Sequence, residues 1–290
     1  LFRSKFCIPA KIEQQKIVNF LDVKTTQFDN IITQKEQLIK KLEEAKKSLI
    51  SEVVTGKVKI VDGQLFPRDV SEMKNSGVEW LGMIPKEWNL KPLKTIFSEN
   101  KKKNIKGMEN NVLSLSYGNI IRRDVESNFG LLPASFSTYQ ILKEGYLIFR
   151  LTDLQNDKKS LRVGLVKEKG IITNAYLGLI PSEYTDSLYM YYLFHAYDLH
   201  KVYYNMGGGL RQSMTFTDMK ELKVLLPNFE EQKKLAAIIE TEISDIDAVL
   251  ISAKSLVLKL NQAKQSLISE AVTGKIDLRD WEIIEEGDVQ

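Results

Sequence analysis

Ala45-Lys46-Lys47-Ser48-Leu49-Ile50-Ser51-Glu52-Val53-Val54-Thr55-Gly56-Lys57 returns later in the chain as Ala263-Lys264-Gln265-Ser266-Leu267-Ile268-Ser269-Glu270-Ala271-Val272-Thr273-Gly274-Lys275. The offset, Ala45 to Ala263, is 218 residues. It holds upstream without a gap: Pro9 maps to Pro227, Glu13-Gln14 to Glu231-Gln232, Lys16 to Lys234 and Asp29 to Asp247. A gapless match over about fifty residues is a duplication. Each copy reads as one long helix, over 9–56 and 228–275. In the second, Leu235, Ile239, Ile246, Val249, Ala253, Leu256, Leu260, Ala263 and Leu267 fall on steps of three and four, broken at Glu242. The first gives Ile17, Leu21, Phe28, Ile31, Leu38, Leu42, Ala45 and Leu49, interrupted by Lys24 and Lys35. Heptad spacing sustained this long predicts a coiled coil. Proline precedes each helix and glycine ends it, as start and stop signals should.

The first helix leads into the segment between the copies and the second leads out of it, so the two are expected to pair antiparallel. At 1.5 Å per residue, about 42 residues make a rod of roughly 60 Å. Residues 57–75 are polar and read as a linker. From 76 to 227 short β-rich runs replace the heptads: Val112–Ser116, Tyr146–Leu151, Arg162–Val166, Gly178–Ile180 and Lys223–Leu226. One helix, about Ser187–His200, carries Tyr189, Tyr191, Tyr192, Phe194 and Tyr197, an aromatic stripe read as core. The fold class is therefore α+β: one mixed α/β domain plus two long helices forming an antiparallel coiled coil. Lys5-Phe6-Cys7-Ile8-Pro9 aligns with Lys223-Val224-Leu225-Leu226-Pro227, so residues 1–8 are expected to be the last strand of a preceding domain. With Leu1 in first position, the sequence is expected to be cut from a longer one. Residues 276–290 are a C-terminal tail.

Composition narrows the function classes. Among 290 residues, 43% are hydrophobic and 27% charged, enough for a globular core, and the net charge of +3 is mildly basic. Cys7 is the only cysteine, which excludes an internal disulfide framework and a cysteine zinc site. No apolar run is long enough for a membrane span and no signal segment opens the chain, which reads as cytoplasmic. His195 and His200 are the only histidines, five apart on the aromatic helix, which is poor geometry for a shared metal. Thr55-Gly56-Lys57 and Thr273-Gly274-Lys275 lack the upstream glycine and following Ser/Thr of a P-loop and are helix ends. No Asn-Pro-Pro-Tyr motif of amino-methyl transfer and no clear nuclease carboxylate cluster is present. A non-catalytic chain is expected.

What remains is basic and polar chemistry on loops. Lys101-Lys102-Lys103 with Lys106, Arg122-Arg123, Arg150, and Lys158-Lys159 with Arg162 are each flanked by turn formers. Gly207-Gly208-Gly209-Leu210-Arg211-Gln212-Ser213 is sharper. Its glycines let backbone approach another surface, and Arg211 and Gln212 are the types that read guanine and adenine edges bidentately. Gly208, Gly209, Arg211, Gln212, Ser213, Lys101, Lys102, Arg122, Arg123, Arg150, Lys158 and Lys159 are the DNA-binding candidates. A solvated surface or a flexible turn before the strand Lys223–Leu226 is the plainer reading of the same residues.

Four motifs together resemble the specificity subunits of type I restriction-modification systems. They are Ile8-Pro9 or Leu226-Pro227 followed by Glu-Gln and a lysine; the Leu-Ile-Ser-Glu-x-Val-Thr-Gly-Lys helix end; Ser76-Gly77-Val78-Glu79-Trp80-Leu81-Gly82-x-Ile84-Pro85-x-x-Trp88; and Gly209-Leu210-Arg211-Gln212-Ser213-Met214-x-Phe216. The resemblance implies that residues 76–227 form a target-recognition domain that reads one half of a split site on double-stranded DNA. It implies that the paired helices set the half-site spacing and dock methyltransferase subunits. Those subunits bind S-adenosylmethionine, so no cofactor is expected on this chain. A restriction-translocase subunit can join them. Glu13, Gln14, Glu231, Gln232, Ser51, Glu52, Ser269 and Glu270, which repeat in both copies, are the expected subunit interface.

The family's typical subunit has two recognition domains, whereas this chain holds one. It is either the C-terminal part of a longer subunit or a half-subunit that self-associates, and the orphan strand favours the first. A different class of function, a non-catalytic coiled-coil adaptor with a protein-binding middle domain, accounts for the repeat equally well but gives no reason for the Gly-Arg-Gln run.

Overall fold

The computed structural model describes residues 8–123, 135–154, 161–206 and 213–282. Helix α1 (Lys11–Val54) is followed by β1 (Val58–Val61), β2 (Gln64–Pro67), β3 (Met73–Asn75), β4 (Met83–Pro85), β5 (Asn89–Pro92) and β6 (Phe97–Glu99). Next come β7 (Leu113–Ser116), β8 (Asn119–Arg122), β9 (Gln140–Leu142), β10 (Leu147–Phe149), β11 (Val163–Leu165), β12 (Gly170–Ile172) and β13 (Leu177–Pro181). The chain then forms α2 (Ser187–Leu199), α3 (Phe216–Met219), β14 (Lys223–Leu226) and α4 (Phe229–Val272). Contacts divide it into two compact units, with cuts between Ala45 and Lys46 and between Glu242 and Ile243.

In the first unit, α1 up to Ala45 pairs with α4 from Ile243. The direction is antiparallel, since Lys264 meets Asp29 at 2.6 Å while Lys254, earlier in α4, meets Glu43, later in α1, at 2.8 Å. Buried and half-buried positions recur along the pair, among them Phe20, Leu21, Thr25, Phe28, Ile32, Lys35, Ile39 and Leu42 in α1, and Ile243, Ile246, Leu250, Ala253, Val257, Leu260, Lys264, Leu267 and Ala271 in α4. This corrects the seam read from the sequence. Ile31, Leu38, Val249 and Leu256 are 43%, 39%, 49% and 40% exposed, whereas Ile32 and Leu250 are 8% and 7% exposed. The apolar stripe is wider than a strict seam, and the partner helix lies on the flank that includes Ile32 and Leu250. In that register Glu242 interrupts nothing. Lys35 and Lys264 belong to the seam, and the ammonium of Lys264 is held by the Asp29 carboxylate. Beyond α4, Leu278 and Trp281 close one end of this pair, with the Trp281 ring edge-on to Phe20 at 5.4 Å.

The second unit is built on a six-stranded sheet of order β6-β13-β10-β11-β8-β7. Its pairings are antiparallel except β11 with β8, which run parallel through Leu165 and Asn119. Leu113, Leu115, Leu142, Ile148, Val166 and Ile172 form the core on one side. The alternation of Leu113-Ser114-Leu115-Ser116 fits a strand with one buried face. Helix α2 starts at an Asp186 cap on the Tyr189 amide, and its Phe194 ring meets those of Phe97 and Phe149. Tyr189, Tyr192, Phe194 and Tyr197 are buried, so the aromatic stripe is core, as its spacing predicts.

The polar stretch 57–75 is not irregular. It folds as the β1–β2 hairpin, turning at Asp62-Gly63 with φ of 51° and 78°, then a short 3-10 turn and β3 paired with β4. The Asp-Gly dipeptide is the hairpin signal there. β5, β6 and β8, between Trp88 and Arg122, also fall outside the runs read as strands from the sequence.

The end of α1 explains the Ser76–Trp88 motif. Val53, Val54 and Thr55 are at most 2% exposed, and Lys57 N–H bonds the Glu52 carbonyl at 2.9 Å around left-handed Gly56. A Cβ on Gly56 would lie 2.3 Å from Pro85 Cγ and 3.0 Å from Trp88, so only glycine admits this contact. Trp88, fully buried, donates its indole N–H to Glu231 at 3.0 Å.

Candidate nucleic-acid interface

Strand register sorts the candidate cations between two ends of the sheet. Phe149 pairs with Val163 and with Leu177, and the Arg150 N–H bonds the Arg162 carbonyl, so Arg150 and Arg162 leave the sheet side by side. The Asn100 N–H bonds the Gly178 carbonyl, which brings Lys101 to the same end, with Lys102 next in the chain. Because β8 runs parallel to β11 from Asn119, the Tyr117-Gly118 turn also lies at this end. Gly118 abuts Leu161, whose Cβ would lie 3.1 Å from a Cβ placed on that glycine. The Met214 N–H bonds the Leu151 carbonyl at 2.9 Å, so exposed Ser213 joins the group. The stems at Leu154, Leu161 and Ser213 therefore open where Arg150 emerges. Lys158, Lys159, Gly208, Gly209, Arg211 and Gln212 lie outside the described residues.

Arg122 and Arg123 are at the opposite end of β8. There Arg122 forms a bidentate ion pair with Glu168, which holds the Glu168 carboxyl below its ordinary range and raises the guanidinium. Lys169 pairs with Glu109 nearby, at 2.6 Å. Local carboxylates thus pair with the cations of that end, and at the other end Lys101 lies 3.4 Å from the Glu99 carboxylate. Arg123 donates its backbone N–H to the Val112 carbonyl.

Arg162, grouped by sequence with the surface cations, is instead fully buried. Its guanidinium donates to the carbonyls of Arg150, Thr152 and Asp153 and to the Tyr204 hydroxyl, while its N–H bonds Asp198. It fixes the backbone of residues 150–153, where Asp153 has a left-handed φ of 58°. Sequence alone gives no sign of this role, since a buried and a solvated arginine look the same. Tyr117 also escaped the sequence reading. It is 76% exposed at φ 46°, in the turn between β7 and β8.

The repeated Glu-Gln and Ser-Glu residues divide by unit, each unit holding one pair from each copy. In the second unit the Gln232 amide, 1% exposed, donates to the Pro227 carbonyl and accepts from the Asp186 N–H, so it is satisfied within the chain. Glu231 holds Trp88, and Ser51 bonds His200 Nε2 at 3.0 Å. Glu52 accepts from Ser48. In the first unit Glu13 and Gln14 are exposed, Ser269 is exposed and Glu270 accepts from Ser266. Among the described residues, no cluster of His, Cys, Asp and Glu could hold a metal ion, and no helix is long and apolar enough to cross a membrane.

Residues 85–251 match the family described as the type I restriction modification DNA specificity domain. The chain belongs to that family. It is 24% identical over 288 residues to the type I restriction enzyme MjaVIII specificity subunit of Methanocaldococcus jannaschii, covering 95% of this chain and 63% of that protein. It is 23% identical over 287 residues to the putative MjaX specificity subunit of the same organism, covering 95% and 60%. The chain thus spans about three fifths of the length of these relatives. Its fold is similar to that of the HsdS subunit from Thermoanaerobacter tengcongensis, with a TM-score of 0.51 and 14% identity, covering 93% of this chain and 60% of that one. A structure concerned with complex assembly and conformational transition of the type I R-M system matches with a TM-score of 0.61 and 14% identity, over 93% and 61%.

Proposed function

We propose that this chain is a DNA-reading part of a type I restriction-modification complex, recognising one half of a split target and holding no catalytic centre of its own. The observation that carries it is the family match over 85–251 together with the gathering of Lys101, Lys102, Arg150 and the stems of the 155–160 and 207–212 segments at one end of the six-stranded sheet. Cations on rigid strand ends suit phosphate, and side chains on the adjoining segments suit base edges. The duplicated helices dock the methyltransferase subunits, which bind S-adenosylmethionine, and set the distance between half-sites. The exposed apolar residues Ile31, Leu38, Val249 and Leu256, with a shallow groove lined by Leu38, Val249 and Leu256, support docking on the helical pair. The complex acts in the cytoplasm, and a restriction-translocase subunit joins it. A purely structural adaptor would need none of the basic chemistry at the sheet end.

The test is selection from a randomised duplex pool by the complex with its methyltransferase subunits. Enrichment of one split motif supports the reading, and a pool recovered unchanged defeats it. Calorimetry adds a check: tight S-adenosylmethionine binding by the chain alone would contradict a non-catalytic role.

A further inference from the structure

The β7–β8 connection is a two-residue turn whose central residues, Tyr117 and Gly118, both have left-handed backbones, at φ 46° and 82°. Such turns favour Asn, Asp or Gly at the first of these positions, where a bulky aromatic residue is strained. The ring does not repay that strain by packing, since Tyr117 is 76% exposed. The backbone beneath it is firmly mounted. Gly118 is buried against Leu161, its carbonyl accepts from the Tyr191 hydroxyl at 3.3 Å, and the Tyr117 carbonyl accepts from the Asn119 amide at 3.4 Å. A strained residue on a rigid turn is a sign of function rather than of folding. The place matters as much, because this turn lies at the sheet end that carries Arg150 and Lys101.

The geometry points to Tyr117 as a DNA-contacting residue. Its ring packs against the deoxyribose and base surface of the half-site, and its hydroxyl donates to a phosphate oxygen. Aromatic faces beside cations are the usual means of engaging the apolar surface of nucleic acid next to its charged backbone. Mounted on strands rather than on a long loop, the ring would meet DNA with little ordering cost. This inference rests on the DNA-reading function proposed above.

The experiment uses the full-length subunit assembled with its methyltransferase subunits, and two duplexes: one enriched from the randomised pool by the unmodified complex, and a scrambled duplex of equal composition. Tyr117→Asn relieves the left-handed strain and removes the ring, and Tyr117→Phe removes only the hydroxyl. The Asn variant is expected to melt at the parent temperature or above it while binding the enriched duplex about tenfold more weakly. The Phe variant should keep most of the affinity. Unchanged affinity in the Asn variant would overturn the inference. So would a lost affinity that comes with a lower melting temperature, because the ring would then serve the fold. If the unmodified complex enriches no duplex at all, the DNA-reading function itself falls, and this inference with it.

Discussion

Val53-Val54-Thr55-Gly56 and Ala271-Val272-Thr273-Gly274 end the two copies of the repeat with nearly the same residues, yet their surroundings differ. In the second unit Val54 is fully buried, and Gly56 is pressed against Pro85 and Trp88. In the first unit Val272 is 60% exposed, and nothing lies within 4 Å of where a Gly274 Cβ would be. Both glycines nevertheless keep the same left-handed φ, 73° and 72°, and the same helix-ending bond from the following lysine, Lys57 to Glu52 and Lys275 to Glu270. The local sequence therefore dictates the helix end, and its packing depends on what tertiary structure supplies. The helix starts show the same division, with Gln232 buried and doubly bonded while Gln14 is exposed.

The largest expected effect separates the two flanks of the α4 stripe. Leu250→Asp places a charge on the buried flank and should cost about 3 kcal/mol or more, whereas Val249→Asp, one residue away, should cost less than about 1 kcal/mol. Denaturant melts of the two variants measure this. Equal losses would restore the seam through Val249 and Leu256.

Next is the direct comparison of the copies. Alanine at Gly56 meets both left-handed strain and the Pro85 ring, and should cost about 3 kcal/mol. Alanine at Gly274 meets only the strain and should cost about 1 kcal/mol. If thermal unfolding shows the two to be equivalent, the packing difference between the copies is not real.

A smaller effect belongs to the second unit alone. Burial, with Lys46 and Lys47 nearby, pushes the His195 imidazole down to about 4. The folded state therefore resists protonation. Its stability is complete above the ordinary histidine range near 6.5 and is lost as pH falls from there towards 4. The loss should reach about 2 kcal/mol, somewhat less than the full shift implies because the ring is only partly enclosed. His200, also lowered by burial and Lys57, contributes in the same direction. His195→Gln should flatten the stability profile between pH 6.5 and 4, and an unchanged slope would remove His195 as its source.

The duplication, the two helices, their antiparallel pairing and the aromatic helix could all be read from the sequence, because each rests on spacing repeated over many residues. The flank of the seam could not, since Ile31 and Ile32, like Val249 and Leu250, are adjacent and apolar, and only the partner helix chooses between them. β4, β6 and β9 have Pro85, Glu99 and Gln140 among their own three residues, which keeps their apolar runs short, whereas equally short β10 lies within the apolar run Tyr146–Leu151. Within the candidate site, Arg150 and Lys101 could be named from residue type, but which cations share an end depends on non-local register. That register separates Arg122 from them and draws Arg162 into the interior.

Binding by Arg150→Ala and Arg122→Ala, in the complex with methyltransferase subunits, decides which end of the sheet meets DNA. The duplex is the one that the unmodified complex enriches, titrated at two salt concentrations. Arg150→Ala should weaken binding and reduce the salt slope by about one, while Arg122→Ala, already neutralised by Glu168, should change neither appreciably. A loss confined to Arg122→Ala would place DNA at the opposite end and contradict the interface described above.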